Sequence, residues 1–329
     1  MSTVATTSPA PPRADLLRAL GSFPILGPVA ALILACIFFA TQSDRFLSGG
    51  NFSLILQQVV VVGTLAIGQT LVILTGGIDL SNGMIMALSS VLMTGLFANS
   101  GMDPYLAVLV GLAVCVAFGV VNGWLHTFVG LPPFIVTLGT YSIAYSLVRI
   151  YTTATITDIP PALNFFGDTF RVGSTAITYG TVAMILLYVI AWFVLRSTPA
   201  GRAVYAVGDN PEAARLAGIH TGRVLISVYT IAAITYGIAG LLLVGRMGVG
   251  DPNTGQNGNL ESITAVVLGG TSLLGGRGYI MGTLVGALIV GVFRNGLQLM
   301  GIGSNYQVLI TGVLVILAAS VDYLSHRGK

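Results

Sequence analysis

From about Ile25 to residue 321 the sequence is a succession of ten apolar runs, and the one long polar interruption among them is Ser197–Arg223. Roughly 20 apolar residues carry a helix across hydrocarbon, and open backbone cannot face lipid. That pattern restricts the chain to an all-α, polytopic transmembrane bundle of about ten spans. The runs lie near 25–41, 54–74, 84–98, 105–128, 133–151, 176–195, 224–244, 260–274, 279–297 and 306–321. The third and eighth are short for a crossing, so tilted, broken or re-entrant helices are expected there. Only 8% of the 329 residues are charged, against roughly 25% in a soluble domain.

Residues 1–22, with Pro9, Pro11 and Pro12, lack an apolar period and predict a disordered tail. The membrane-spanning core is then 23–324, with the polar loop at 197–223 and a short tail at 325–329. Arg13 and Arg18 before an apolar stretch imitate a secretory signal, and Ile33-Leu34-Ala35-Cys36 imitates a lipoprotein box. Ile37, Phe38 and Phe39 extend the run past Cys36, which predicts an uncleaved first span.

Ten spans place both termini on one side, and basic residues decide which. Counted from inside, Arg13, Arg18, Arg196, Arg202, Arg215, Arg223, Arg277, Arg327 and Lys329 are cytoplasmic, nine in all. Arg45, Arg149, Arg171, Arg246 and Arg294 face out, which makes five. Both termini are therefore expected in the cytoplasm. The outer loop from about Thr152 to Thr175 is the largest on its side and is expected to carry a short surface helix.

Several chemistries are excluded. Lys329 is the one lysine, so no phosphate-cradling Walker loop exists, and Leu47-Ser48-Gly49-Gly50-Asn51 is a decoy of an ATPase signature. Cys36 and Cys115 sit in apolar runs and read as packing residues. His126, His220 and His326 are too scattered for a metal site, and no paired carboxylates suggest an enzyme.

Within the polar loop, Asn210 to Gly218 reads as a short capped helix. Asn210 caps, Pro211 takes the first helical position, Glu212 suits the positive end, and Gly218 supplies a left-handed stop. Ala213, Ala214, Leu216 and Ala217, flanked by Glu212 and Arg215, form a small apolar knob that fits a socket on another protein. A solvated loop helix is the alternative from spacing alone.

Two glycine-rich segments echo one another. Gly76-Gly77-Ile78-Asp79-Leu80-Ser81-Asn82-Gly83 compares with Gly269-Gly270-Thr271-Ser272-Leu273-Leu274-Gly275-Gly276 at an offset of 193. Glycine-broken helices in corresponding halves point to a transport pathway. Asp79 is a functional candidate because an ionisable group beside hydrocarbon is costly; the alternative is that Asp79 or Ser81 caps the next helix. Gln57, Gln69 and Asn295 adjoin the breaks and suit a hydroxylated solute, or else serve as helix glue. With Asp79 they are the pathway candidates. Arg45, Arg171 and Arg246 are candidates for docking a charged partner from outside. Trp124 and Trp192 read as interfacial anchors.

The segment Glu212-Ala213-Ala214-Arg215-Leu216-Ala217-Gly218-Ile219 resembles the coupling helix of bacterial ABC-importer permeases, closest to the sugar permeases of the ribose, xylose, galactose and fructose type. Gly76-Gly77-Ile78-Asp79-Leu80-Ser81 and Gly269 to Gly278 resemble the same family's glycine-rich segments. The three motifs, in order, cover 76–278. The resemblance implies a multi-pass inner-membrane subunit that translocates a monosaccharide and performs no chemistry. It implies a second copy of the chain, a separate ABC ATPase that holds ATP and Mg, and a periplasmic sugar-binding protein. Besides lipid, no nucleic acid and no cofactor or metal of its own is expected. An ion-gradient-driven transporter is the alternative reading, and the scarcity of charge inside the runs argues against it.

Overall fold

A computed structural model of the chain describes residues 25–327; the tail 1–22 with Arg13 and Arg18, and Lys329, lie outside them. Each of the ten apolar runs is a helix: α1 (Leu26–Gln42), α2 (Gly49–Leu74), α3 (Asn82–Ser100), α4 (Pro104–Trp124), α5 (Pro133–Tyr151), α6 (Tyr179–Ser197), then α9 (Thr221–Met247), α10 (Gly258–Leu268), α11 (Ile280–Leu299) and α12 (Ser304–Arg327). The polar loop holds α7 (Pro199–Asp209) and α8 (Pro211–Leu216). Seven of these helices are long and apolar enough to cross a membrane. The third run is among them, since α3 reaches 19 residues. Helix α12 runs to Arg327, into the stretch expected as a tail.

The eighth run is different. Helix α10 has 11 residues, which rise only about 16 Å against about 30 Å of hydrocarbon. The preceding segment, 248–257, has no regular structure apart from a bridge between Gly250 and Ile156. It runs from the α9 end to the bundle's middle, where Gly255 and Gly258 press on Gly83 so closely that a Cβ there would overlap Gly255.

Helix α2 is the central post and is buried along most of its length, with α9, α10, α11 and α6 packed around it. It carries no charge, and Gly63 and Gly68 let Met184, Thr235 and Tyr236 approach its backbone. Polar ties fix the packing: Tyr188 Oη donates to the Gly63 carbonyl at 2.9 Å, and Thr70 and Thr283 hydroxyls meet at 2.9 Å. Helices α4, α5 and α6 present most of their length outward. Helix α4 closes in a π turn, Leu125–Val129, stopped by Gly130 at φ 77°. Helix α1 continues past Cys36 to Gln42, and Cys36 and Cys115 are free thiols.

The loop between α5 and α6 departs from the all-helical expectation. Besides a four-residue helical turn, Pro161–Asn164, it holds an antiparallel hairpin, β1 (Thr169–Val172) with β2 (Thr175–Thr178). Threonine, valine, isoleucine and phenylalanine dominate both strands, and these favour a pleated surface. Gly173 at φ 62° opens the two-residue turn, as a II′ turn demands. The hairpin sits on the start of α2, where Ala176 N donates to Ser53 Oγ at 2.7 Å.

Candidate functional site

The short helix α8 is capped as its local chemistry dictates. Asn210 Oδ1 accepts from Ala213 N at 2.9 Å, Pro211 opens the helix, and Gly218 at φ 86° ends it. Ile219 N then returns to the Ala214 carbonyl at 3.0 Å, closing a Schellman-type stop. The expected knob divides in two. Ala214 faces the bundle at 4% exposure, while Ala213, Leu216 and Ala217 face out, with Leu216 76% exposed. Glu212 and Arg215 pair across one turn at 2.7 Å, both in solvent. That pair draws the Glu212 carboxyl below its usual range, through the Arg215 hydrogen bond first and its charge second. Beside the helix lies a cleft of about 510 Å³ lined by Phe128, Arg215, His220 and Arg223.

Just before α8, the end of α7 reaches into the bundle. Gly208 abuts the Leu74 carbonyl, where α2 ends, and Gly276 N, in the second glycine-rich segment. Gly276 in turn abuts Asp209. The two glycine-rich breaks are therefore in contact, and the polar loop touches both. Their echo is structural, at an offset of 194 rather than 193. Gly76 (φ 78°) and Gly270 (φ 84°) each return an amide to the third residue before, Ile73 and Val267. Gly77 and Thr271 then bond Val72 and Val266.

Asp79 lies in the first break at 1% exposure, accepting from both the amide and the hydroxyl of Ser81. This is a turn that aims the chain into α3. No cation pairs with Asp79 among the described residues. Gln69, at 0% exposure, accepts from Asn82 Nδ2 at 2.8 Å, and Asn82 also donates to Ser262 Oγ at 2.8 Å. Asn122 Nδ2 reaches Ser81 Oγ at 3.2 Å. Gln69 and Asp79 thus stand in one buried polar layer joining α2, α3, α4 and α10. Asn295 is 3% exposed on α11 and Gln57 is half-buried on α2; neither belongs to that layer.

At the opposite end of α2, Arg45, Arg171 and Arg246 are all exposed. Arg45 lies in the turn before α2, Arg171 on β1, and Arg246 at the end of α9. Between α2, α9, α10 and α11 this end opens into a cavity of about 410 Å³ whose lining includes Gln58, Arg246, Glu261 and Arg294. The glutamine lining it is Gln58, the neighbour of the expected Gln57. Arg294 Nη1 donates to both Glu261 oxygens, at 3.1 and 3.3 Å. Thirty-three residues separate that pair, and no local pattern announces it.

Residues 51–319 match the family described as branched-chain amino acid transport system / permease component. The chain is 48% identical over 310 residues to a fructose import permease protein of Rhizobium meliloti, covering 92% of this chain and 86% of the relative. It is 41% identical over 300 residues to the ribose import permease protein of Bacillus subtilis, covering 90% and 92%. The ribose import permease protein of Escherichia coli K12 is 36% identical over 299 residues, covering 89% and 92%.

Proposed function

The chain belongs to the branched-chain amino acid transport system / permease component family, and on that premise we propose that it carries a monosaccharide into the cell as the membrane-spanning subunit of an ATP-driven importer. It is a transport component and not an enzyme. Sugar rather than amino acid follows from the relatives, which are fructose and ribose import permeases over nearly their whole length. The cavity chemistry agrees: amides and an ion pair suit hydroxyl groups better than a branched apolar side chain. The match is to the permease component of a transport system, one part among others, and the ion-gradient alternative is set aside.

The observation that carries the mechanism is the contact of Gly208 with both Leu74 and Gly276. A separate ATPase, holding ATP and Mg, grips the exposed face of α8. Displacement of α8 moves Gly208 and Asp209, and these bear on the ends of both glycine-broken helices. A second copy of the chain completes the pathway, and a binding protein delivers sugar to the end bearing Arg45, Arg171 and Arg246. All ten apolar helices lie in the bacterial inner membrane, α10 together with 248–257 making one crossing, with both termini in the cytoplasm. In this assignment Gln69 and Asp79 hold the packing of the breaks, while Gln57 and Asn295 flank the pathway.

Reconstituted vesicles test the reading. Sugar uptake is expected only with ATPase, ATP and binding protein all present. Uptake driven by an ion gradient in the chain alone would overturn it.

A further inference from the structure

Arg294 stands five residues before the end of α11 and well past its start. Arg149, Arg196, Arg223 and Arg246, by contrast, each lie within three residues of an end of their long apolar helix. The Arg294 side chain is 44% exposed and that of its partner Glu261 is 22% exposed. A half-exposed ion pair at such a position is costly against lipid and requires water or protein beside it.

The backbone makes the same demand. Segment 248–257 is irregular from the outer end to mid-bundle, and irregular backbone at that depth is tolerated where it is buried or lines a water-filled cavity. Residues 253–257 line the 410 Å³ cavity. That volume falls in the range of about 300–1,000 Å³ typical of small-molecule sites. Helix α10 begins at the cavity, so its first turn, which contains Glu261, points partial positive charge into it.

Polar side chains of this lining keep unused hydrogen-bonding capacity. Gln58 donates through Nε2 to Gln298 Oε1 at 3.3 Å, but its buried Oε1 has no partner. Arg294 binds Glu261 through Nη1 alone, which leaves Nε and Nη2 without a partner among the described residues. These donors beside the partly exposed Glu261 carboxylate match vicinal hydroxyls, which both give and take hydrogen bonds. A second, smaller cavity of about 160 Å³ lies against α12 and shares Asn257, Glu261 and Arg294 with the first. The ion pair lines both.

We propose that the cavity between α2, α9, α10 and α11 is the site where this chain receives a neutral, polyhydroxylated monosaccharide, with Gln58 and the Glu261–Arg294 pair as its specificity-determining residues. The pair also closes the passage to the second cavity and opens when sugar hydroxyls compete for the Arg294 guanidinium. This rests on the sugar-permease reading and adds the place and the groups.

The test uses the complete transporter in vesicles, with ATP-driven uptake of labelled fructose and ribose measured for the wild type, Gln58→Leu, the double variant Glu261→Gln with Arg294→Gln, and Gln42→Leu at the exposed end of α1. The wild type is expected to take up at least one of the two sugars; uptake of neither overturns the permease reading and this proposal with it. Given uptake, Gln58→Leu and the double variant are expected to lower it at least tenfold or to change the fructose-to-ribose preference. They are expected to keep ATPase co-purification, and Gln42→Leu to stay within twofold. Unchanged rate and preference in Gln58→Leu overturns the proposal while the permease reading stands. Gln58→Leu breaks no ion pair, so it decides the matter even if the double variant fails to assemble.

Discussion

The amide of Gly276 donates to the carbonyl of Leu74 at 2.9 Å. Those residues are about two hundred positions apart, and the bond ties the end of α2 to the second glycine-rich segment. Gly208 fits against both, with no room for a side chain: a Cβ there would overlap the Leu74 oxygen and stand 2.6 Å from Gly276 N. The junction is backbone on backbone, so a push from the polar loop is not absorbed by rotamer changes. Two stacked Schellman-like stops therefore move together or not at all.

Gly208→Ala is expected to break this junction. Overpacking costs about 1–3 kcal/mol where neighbours can shift, and carbonyl and amide atoms shift less readily than side chains. Uptake should fall more than tenfold, and thermal unfolding in detergent should move to lower temperature. Gly139→Ala is the control, since nothing stands within 4 Å of a Cβ there. It should be neutral or stabilise α5 by about 0.5–1 kcal/mol. Equal behaviour of the two variants would remove the junction from the mechanism.

The docking surface is separable from folding. Leu216, Glu212 and Arg215 are exposed, so Leu216→Glu and the pair Glu212→Gln with Arg215→Gln should leave membrane insertion and melting temperature unchanged. Co-purification with the ATPase should be lost. The ion pair lowers the folded-state pKa of Glu212. Whatever it contributes is present above the ordinary carboxylate pKa and lost as pH falls through the lowered value. The pair therefore stays charged, and ATPase association through it should not vary with pH, from about pH 8 to about pH 5. A loss of association centred near pH 6 would point to another group.

Asp79 separates a structural role from charge transfer. Its Oδ1 accepts both Ser81 bonds, and an asparagine keeps that acceptor. Asp79→Asn should therefore transport at close to the wild-type rate. Asp79→Ala leaves two buried donors unmet, which costs about 1–3 kcal/mol, and should lower the melting temperature. If Asp79→Asn abolished uptake while the fold held, a carboxylate charge would be required and the turn account would fail.

What the sequence discloses follows the range of the interaction. The caps of α8 depend on neighbours three to five residues apart, so Asn210, Pro211 and Gly218 could be read directly. The ten apolar runs likewise gave ten helices, because burial in hydrocarbon acts on every residue of a run. The hairpin around Gly173 escaped, since its threonines carry no apolar period. The choice of Gln58 over Gln57 depends on which face of α2 meets α11. The pairing of Glu261 with Arg294, and of Gly208 with Leu74, exists only once distant helices pack. The glycine echo was visible, but its true register came from backbone hydrogen bonds rather than from letters.

The two ends of α2 fix which groups share a side of the membrane. Its 26 residues rise about 39 Å at about 1.5 Å each, enough to cross the hydrocarbon. Ser174 of the hairpin packs on Gly49 at its beginning, and Gly208 packs on Leu74 at its end. Ser174 and Ala217, both exposed, must then lie on opposite sides. With Cys36 and Cys115 replaced by serine, a cysteine at Ser174 should react with an impermeant maleimide on intact spheroplasts. One at Ala217 should react only after the membrane is opened. Labelling of Ala217→Cys from outside would put α8 beyond reach of a cytoplasmic ATPase, and the coupling mechanism could not operate.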